Sequence, residues 1–530
     1  MQFVCEEARW DPHQAATACG AGLWSPLYNQ VMMYNHTNPT EVIGDLAKSW
    51  DLSDDGMSYT FVLHEAKWSD GMPVTAADIG FSLDRMVEEG QPRPRVKSIA
   101  PYYASSEVVD PRTLKVNLKF ANAPAFLQYL AVDYMKVLPK HIADQHPDKT
   151  ELGEFLNVPE NGVGSGNMVF KSYLRGDRYV YERNADYFKA PLPYFDAHHA
   201  FFITEKTRVI AAYKTEQGLM ANIGATSLQP RDYTTAEAQM DNKVNLHVMV
   251  PTTIINVIMN FTKPPFDDVR LRKAVQLASD RLAILNTVNA GFGKVGTPFF
   301  PDSWMTPADE VVATWPGYRY VDKNTGEPVL DYYGKEVGVD VVKDPRDIEA
   351  AQNLMKEAGF SPDNRVRVFV VSQTGTWTSV SQLLQQHLKE IYMDLDINQV
   401  PSSESFAAMA SGEYEITGNP HGANIIDSDD LFNVVYTPGG ARNQLNWEDP
   451  RINDFFARSS KEFDPTKRQQ TIWEAGDILR QGEGHWMGVI WGASWHFLVS
   501  ERIKNFSPPQ TLQQGMMHEH LWLEDSSGFN

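Results

Sequence analysis

The sequence predicts a mixed α/β protein that is built from more than one lobe. Its 530 residues exceed what one hydrophobic core organises, and a size of about 100–200 residues per domain indicates about three structural units. Val366–Val371 and Leu395–Val400 are typical of strands and flank an amphipathic helical pattern at Val380–Ile391, which predicts a right-handed parallel crossover. Thr252–Met259 is almost continuously apolar, as expected for a strand buried on both faces.

The composition favours a globular protein with an acidic surface. Hydrophobic residues make up 42% and charged residues 22%, so each unit can bury a core, and we find neither low-complexity segments nor a fixed-period repeat. The 47 basic and 68 acidic residues give a net charge of −21, which disfavours nucleic acid and anionic membranes as partners. Because no run of 18 apolar residues occurs, we predict no transmembrane helix.

The first residues bear on export and on redox state. Met1–Cys5 carries neither a basic nor an apolar signal region, so if the protein is exported we expect its signal peptide to have been removed. Cys5 and Cys19 are the only two cysteines, and in an exported protein they predict a disulfide that closes a short loop. A loop of about 15 residues contributes about 3 kcal/mol in the chain-entropy model. Two buried thiols are the alternative, and without further ligands at the right spacing we expect no metal site.

Local patterns in the first part of the chain define a hairpin followed by a helix. Trp50–Ser53 and Tyr59–Leu63 are rich in strand formers and flank the turn Asp54–Gly56. Thr75 is a good helix N-cap, and Asp78 three residues later predicts a variant of the capping box.

The remaining elements follow from the same patterns. We predict further strands or helices at Thr113–Phe120 (strand), Met168–Phe170 and Tyr179–Tyr181 (hairpin), Arg270–Asp280 (helix), Asp344–Gly359 (helix), Thr466–Leu479 (helix) and Trp486–Leu498 (aromatic-rich strand).

Several motifs resemble those of the family 5 extracellular solute-binding proteins, which include dipeptide, oligopeptide, nickel and cello-oligosaccharide receptors. The segment Leu46–Ser82 matches the family signature at Asp55-Gly56, Tyr59-Thr60-Phe61, Trp68, Asp70-Gly71, Pro73, Thr75-Ala76, Asp78 and Phe81-Ser82. Six other segments match in the order of the family: Arg9–Pro12, Ser25–Asn29, Gly162–Phe170, Arg183–Phe188, Asn260–Arg281 and Asp344–Gly359. The resemblance therefore covers nearly the whole chain.

The resemblance implies a two-lobed periplasmic-binding-protein fold, type II-like, of the large cluster with an extra subdomain. It places lobe I at residues 1–45, 166–259 and 488–530, its extra subdomain at 46–165 and lobe II at 260–487, with hinges near 258–262 and 485–489. It also implies the function: an extracytoplasmic substrate-binding protein of an ABC transporter captures a solute between the lobes and delivers it to the permease membrane subunits. We expect a monomer without cofactor or catalytic step, periplasmic or extracellular, either free or lipid-anchored.

The resemblance also bears on the ligand. Peptide binders of this family hold the peptide ammonium with an acidic residue three positions before an acidic-Pro step, in a run comparable to Gly418–Phe432. Counting back from Asp427 gives Asn424, and counting from Phe432 gives Ile425. Neither side chain replaces the charge-assisted bond of a carboxylate to ammonium. We therefore expect an oligosaccharide, an aromatic solute or another non-standard peptide-like ligand, with an oligopeptide or dipeptide as the alternative.

Seven residues are candidates for ligand contact. Aromatic rings suit sugars, aromatic acids and quaternary amines, and His421 and Asn424 can donate hydrogen bonds to ligand oxygens. Arg442 suits a carboxylate. The aromatic candidates are Trp24, Trp377, Trp491 and Trp495. Core packing for the tryptophans and a surface loop for Arg442 are the alternatives.

Other classes of protein find little support in the motifs. A hydrolase acting through cleft carboxylates is the main rival, but no motif selects two carboxylates and Gly-x-Ser-x-Gly is absent. A chaperone-like binder of unfolded segments is the third hypothesis. Asp427–Asp430 lacks the rest of a calcium loop, and we expect His198-His199 and His518–His520 to be solvated surface.

Overall fold

Residue contacts divide the chain into two units. The structure, a computed structural model, describes residues 2–3, 9–14, 21–121, 125–203, 205–215, 218, 220–222, 237–240, 243–418, 420–440, 442–462, 464–492, 496–514 and 518–524. The first unit comprises Met1–Met249 and Trp495–Asn530, and the second comprises Val250–Ser494. The boundaries expected at 259/260 and 487/488 lie inside the second unit in this division. Cys5, Cys19 and Trp495 fall outside the described residues.

The strands up to residue 247 are β1 (Gln2–Phe3), β2 (Met32–Tyr34), β3 (Val42–Gly44), β4 (Ala47–Leu52), β5 (Ser58–Leu63), β6 (Tyr103–Asp110), β7 (Thr113–Leu118), β8 (Met168–Leu174), β9 (Arg178–Arg183), β10 (Ala197–Phe201), β11 (Met220–Asn222) and β12 (Val244–His247). The second unit contributes β13 (Thr253–Met259), β14 (Lys294–Val295), β15 (Tyr320–Asp322), β16 (Val341–Lys343), β17 (Val366–Gln373), β18 (Met393–Val400), β19 (Ile416–Thr417), β20 (Pro420–Gly422) and β21 (Trp486–Gly492). The chain then returns to the first unit with β22 (Phe497–Ser500), β23 (Ile503–Lys504) and β24 (Trp522–Leu523).

The α-helices of the first unit are α1 (Ala21–Trp24), α2 (Ala76–Met86), α3 (Ala125–Leu130), α4 (Lys140–Ala143), α5 (Lys149–Leu156) and α6 (Lys206–Lys214). Those of the second unit are α7 (Val269–Ala278), α8 (Arg281–Asn289), α9 (Asp309–Val312), α10 (Pro345–Glu357), α11 (Thr376–Lys389), α12 (Ser402–Ser411), α13 (Ser428–Leu431), α14 (Pro450–Ser459) and α15 (Pro465–Ile478). In the described part of the chain, no helix combines the length and the apolar character that crossing a bilayer requires.

Two main sheets form the first unit. One has the order β12-β22-β11-β1-β10-β9-β8, and the other has the order β4-β5-β7-β6. The predicted hairpin is confirmed, because β4 and β5 pair antiparallel. The predicted capping box is confirmed as well: the backbone N–H of Thr75 donates to the Asp78 carboxylate at 2.7 Å.

A close backbone approach explains two glycines of the 162–166 loop. A Cβ on Gly164 would lie 1.9 Å from the carbonyl oxygen of Leu27, and one on Gly166 would lie 2.3 Å from that of Pro26. The loop therefore packs directly on the residues that follow α1, and a side chain at either position would separate the two segments.

The second unit is organised around a mixed sheet of order β14-β21-β13-β19-β17-β18, with β20 also paired to β13. The parallel strand–helix–strand order of the predicted crossover is confirmed, because β17 and β18 pair in parallel from Val366–Met393 to Gln373–Val400 and α11 connects them. Every residue of β13 is buried, as its apolar sequence predicts. Ile255, Val257 and Met259 pack in one hydrophobic core, whereas Ile254 and Ile258 pack in a second core.

Candidate functional site

Most of the predicted contact residues lie at one end of the mixed sheet of the second unit. The parallel strands β17 and β18 end side by side at Gln373 and Val400, and β19, which is parallel to β17, ends two residues short of them at Thr417. Since β13 is antiparallel to both β19 and β21, the carboxyl end of β21 at Gly492 lies at this end too. We call this set of strand ends the carboxyl rim. In open α/β sheets such rims are where ligands bind.

Four of the predicted residues lie at the carboxyl rim. Trp377 is the second residue of α11, directly after β17. His421 and Trp491 flank Ile254 from opposite sides, since both residues pair with it across β13. Asn424 follows two residues after β20. The spacing in sequence, more than 100 residues between Trp377 and Trp491, gives no hint of this convergence.

Trp491 uses its polar group within the protein. The side chain is fully buried, and its Nε1–H donates to the carbonyl oxygen of Thr297 at 2.8 Å. Its ring packs against Phe300 with centroids 5.0 Å apart. These contacts make Trp491 part of the core beneath the rim.

Trp377 is held against the end of β19. A Cβ on Gly418 would lie 1.9 Å from Cζ2 and 2.1 Å from Cε2 of this indole, so only glycine fits there. The side chain is 2% exposed, and its Nε1–H has no hydrogen-bond partner among the described residues. A buried unpaired donor of this kind is uncommon and needs an explanation.

Asn424 is engaged by a neighbouring carboxylate. Its backbone N–H donates to Asp430 Oδ2 at 3.1 Å, and its side-chain Nδ2 donates to Asp430 Oδ1 at 2.7 Å. Both residues are buried. The pair closes the loop between β20 and α13 on itself.

The two other acidic residues of this loop bind an arginine. Arg468 Nη1 donates to Asp427 Oδ2 at 2.8 Å, and its Nη2 lies 2.5 Å from Asp427 Oδ1 and 3.2 Å from Asp429 Oδ1. Burial alone would lower the pKa of Arg468, but the charges and hydrogen bonds of Asp427 and Asp429 raise it above its ordinary value. All three carboxylates of the loop are thus used for internal bonds.

His421 and Arg442 are held by aromatic neighbours. The His421 ring is nearly buried and meets Trp486 edge-on at 6.2 Å. The Arg442 guanidinium lies over the ring of Phe406 at 5.3 Å, a cation–π contact, and the residue is partly exposed.

Trp24 belongs to the first unit and is buried there. The next residue, Ser25, donates its hydroxyl to the Asp133 carboxylate at 2.5 Å, and Lys136 Nζ lies 2.8 Å from the same Oδ1. Burial raises the pKa of Asp133, and Lys136 opposes that shift. This charged group next to the indole was not apparent from sequence, because 108 residues separate Ser25 from Asp133.

The prediction of a solvated histidine surface is wrong for the central residues. His518 is buried, both ring nitrogens of the partly buried His198 are shielded from solvent, and the two ring centroids lie 5.1 Å apart; Glu519 is fully buried. Lys189 Nζ binds Glu519 at 3.2 Å and Asp45 at 2.6 Å, which compensates the buried carboxylates. Lys189 and Glu519 are more than 300 residues apart in the sequence. The sequence alone therefore shows His518–His520 as a polar segment and does not reveal that its central residue is buried. Among the residues with described positions, no three His, Cys, Asp or Glu side chains are grouped as metal ligands.

Comparison with known protein families identifies the chain as a bacterial solute-binding protein. The chain belongs to the bacterial extracellular solute-binding proteins, family 5, whose middle-region model matches residues 41–443. It is 26% identical over 482 residues to Di/tripeptide-binding protein 2 of Pseudomonas aeruginosa strain UCBPP-PA14, covering 86% of this chain and 82% of that protein. It is 25% identical to Glutathione-binding protein GsiB of Escherichia coli strain K12, covering 87% and 82% of the two chains.

Solved structures confirm the predicted fold class. The binding protein AgaA in complex with agropinic acid, from A. tumefaciens R10, matches with a TM-score of 0.76 at 20% identity, over 100% of this chain and 99% of that chain. The murein tripeptide-binding protein MppA of Escherichia coli matches with a TM-score of 0.74 at 17% identity, over 98% and 97%. At these identities the likeness establishes the fold.

Proposed function

We propose that this protein is the extracytoplasmic substrate-binding protein of an ABC importer, which binds a small solute reversibly, without a catalytic step, and delivers it to the permease membrane subunits. Family membership and the similarity to binding proteins for di/tripeptides and glutathione support this function. A receptor of this kind acts outside the cytoplasm, in the periplasm or at the cell surface.

We propose further that the solute is recognised without an ammonium anchor in the 418–430 loop. The observation that carries this proposal is that Asp427, Asp429 and Asp430 are buried and bonded to Arg468 or Asn424. Releasing one of these carboxylates for a ligand would leave a buried charge or amide unpaired, which costs about 3–5 kcal/mol for an ion pair. An oligosaccharide, an aromatic acid or an amine-blocked peptide-like compound fits such a loop.

Within the second unit, Trp377, His421, Asn424 and Arg442 are the residues proposed to contact the solute. Their position at or after the carboxyl rim supports this choice for the first three. Trp491 would contribute only its ring, because its N–H is already bonded. Contact of the solute with Trp24, in the first unit, and with Trp495 remains a prediction from the sequence.

Capture of free di- or tripeptides is the alternative function. It is favoured by the relative from Pseudomonas aeruginosa, which covers most of both chains. This function would require a carboxylate outside the 418–430 loop to hold the peptide ammonium.

Calorimetry with two matched ligands separates these functions. We expect N-acetyl-Ala-Ala to bind at least as tightly as Ala-Ala, since acetylation removes only the ammonium group. Preferential binding of the free dipeptide by tenfold or more, about 1.4 kcal/mol, would instead establish the peptide alternative. Mass spectrometry of the recovered ligand supplies the control for catalysis, because a receptor returns it chemically unchanged.

A further inference from the structure

The segment 518–524 of the first unit carries two histidines that each face another histidine. The His518 ring meets the ring of His198, in β10, edge-on at a centroid distance of 5.1 Å. His520 stacks on His36, which follows β2, at a centroid distance of 4.9 Å and with 24° between the ring planes. We call this segment the strap, because its contacts join parts of the unit that lie far apart in the sequence. Protonation of both rings of either pair would place two positive charges side by side.

Glu519, between the two histidines, anchors the strap to a third part of the unit. Its carboxylate accepts hydrogen bonds from the Tyr187 hydroxyl and from Lys189 Nζ, the latter at 3.2 Å. Lys189 also pairs with Asp45 at 2.6 Å, and His520 Nε2 lies 3.4 Å from Glu519 Oε1. Burial would raise the pKa of Glu519, but the charge of Lys189 lowers it to about 2. Among these contacts, the carboxylate therefore stays charged in mild acid and the histidines are the groups that gain charge.

The backbone pairing of the strap is short. β24, which lies in it, pairs with β23 over the two residue pairs Ile503–Leu523 and Lys504–Trp522. Of its apolar side chains, Leu521 is buried and Trp522 is 42% exposed. The seven-stranded sheet of the unit contains neither β23 nor β24. Side-chain contacts therefore decide whether the strap stays docked, and its release would leave that sheet paired.

A cavity gives solvent a path to the histidines of the strap. It has a volume of about 60 Å³ and lies between the β2–β3 hairpin and the strap. Its walls include His36, His518 and His520 together with Met33 and Tyr34. A cavity of this volume has room for a few water molecules, since one water needs about 10–15 Å³ by the same measure. Protons can thus reach the rings before the strap moves.

We infer that the strap is a pH-sensitive latch, which detaches from the first unit in mild acid while the seven-stranded sheet stays folded. The two histidine pairs are the groups that respond, because detachment separates the rings of each pair and relieves their repulsion. Detachment would also uncover the cavity wall formed by Met33 and Tyr34. This inference is independent of the proposed function, which stands whether or not the strap moves.

The pKa shifts agree in sign with this geometry. Burial lowers the pKa of His518 to about 4, and burial also lowers the pKa values of His36 and His198. Once the strap is detached, these rings are exposed to water and titrate near their ordinary value of about 6.5. Docking is therefore fully favourable above pH 6.5 and weakens as the pH falls from 6.5 toward 4. His518 alone should raise the ratio of detached to docked strap about tenfold between pH 6.5 and 5.

Other groups around the two partner histidines modify these shifts. Beyond burial, the pKa of His198 is lowered by its histidine partner on the strap and by His199. His198 also stacks on Tyr181 at 5.4 Å, and because burial raises the pKa of that phenol, Tyr181 stays neutral throughout this range. Beyond burial, the pKa of His36 is lowered by its partner on the strap, and the charge of Glu519 opposes this. The pairs across the strap thus disfavour protonation while the strap is docked.

Hydrogen exchange of the whole chain, followed by mass spectrometry, tests the latch. Peptides covering residues 518–524 report on the strap, and peptides covering β5 and β9 report on the rest of the first unit. After correction for the intrinsic pH dependence of exchange, we expect the protection of the strap to fall at least tenfold from pH 6.5 to 5. The protection of β5 and β9 should be retained. Unchanged protection of the strap, or a parallel loss in the strap and both strands, would overturn the latch.

Variants identify the groups that respond. His518→Phe keeps a ring against His198 and removes one titrating group, so it should reduce the acid-induced loss of protection about tenfold. His36→Phe does the same for the second pair and keeps the test valid if His518→Phe does not fold. His485→Phe is the matched control: His485 is buried in the second unit, burial lowers its pKa to about 3, and its replacement should leave the response of the strap as in the parent. If the folded strap variants retained the pH dependence of the parent, the latch would be overturned.

Discussion

Arg468 and Asp427 form a buried bidentate ion pair, with Nη1–Oδ2 and Nη2–Oδ1 distances of 2.8 and 2.5 Å. The pair joins α15 to the N-cap of α13, and Arg468 also donates through Nε to the carbonyl oxygen of Ser459. The loop next to the candidate rim is therefore fixed by charge as well as by packing.

Replacing Arg468 with methionine should destabilise the protein by about 3–5 kcal/mol, because Asp427 and Asp429 would remain buried without their partner. Urea unfolding followed by circular dichroism measures this loss. The double variant Arg468→Met/Asp427→Asn should recover part of it. Arg451→Met is the control, because the Arg451 side chain is 54% exposed where it pairs with Asp449 and Glu483, and solvent-accessible ion pairs contribute at most about 1 kcal/mol. Equal losses for Arg468→Met and Arg451→Met would contradict the role of the buried pair.

Gly418→Ala should also destabilise the second unit, because the added methyl would overlap the Trp377 ring and lie 2.2 Å from the Asn256 carbonyl oxygen. We expect a loss of about 1–3 kcal/mol, as for other overpacked core positions. Gly476→Ala is the matched control: its Cβ would make ordinary contacts of 3.7 Å with Phe299, and alanine is favoured in a helix. A Gly418→Ala protein as stable as Gly476→Ala would show that the ring moves freely.

Local signals were sufficient to predict most of the elements. Nearby residues determine the Thr75 cap, the helix that starts after Asp344, the apolar run of β13 and the parallel crossover β17–α11–β18, and each is present. The carboxyl rim was predictable only in part, because the sequence places Trp377 after a strand but does not reveal which strands become its neighbours.

The sequence does not reveal which polar residues pair over long distances along the chain. Asp427 looks like a free loop carboxylate until Arg468, 41 residues later, is placed beside it. His198 and His518 look like surface residues until the fold brings their rings within 5.1 Å of each other. Burial and pairing of charges depend on the assembled tertiary structure, which no local periodicity encodes.

The buried histidines should make the protein less stable in mild acid. Burial lowers the pKa of His518 to about 4 and that of His13 and His485 to about 3, and it lowers the pKa of His198 well below its ordinary value. The unfolded chain binds protons near pH 6.5, whereas the folded protein does not. The contribution of these buried neutral histidines to the free energy of unfolding is therefore complete above pH 6.5. It is lost as the pH falls from 6.5 toward 4, by up to about 1.4 kcal/mol per pH unit and histidine.

Urea midpoints between pH 7.5 and 4.5 check this expectation. His198→Phe retains a flat ring for stacking on Tyr181, now 5.4 Å away, and removes one titrating group. We expect a shallower pH dependence for this variant, with the remaining slope due to the other buried histidines. A protein whose stability is constant from pH 7 to 5, or a variant with the slope of the parent, would contradict this account.

The second unit should fold when residues 250–494 are produced alone. All buried members of its two hydrophobic cores lie between Ile254 and Trp491, and among the residues that the structure describes none from the first unit belongs to either core. At this size a domain buries most of its apolar surface by itself. We expect one cooperative thermal transition by calorimetry, near-ultraviolet circular dichroism of packed tryptophans, and destabilisation by Arg468→Met of the same magnitude as in the full chain. A molten species without near-ultraviolet signal would show that the cores require the first unit. A smaller effect of Arg468→Met would show that the Arg468–Asp427 ion pair requires the first unit.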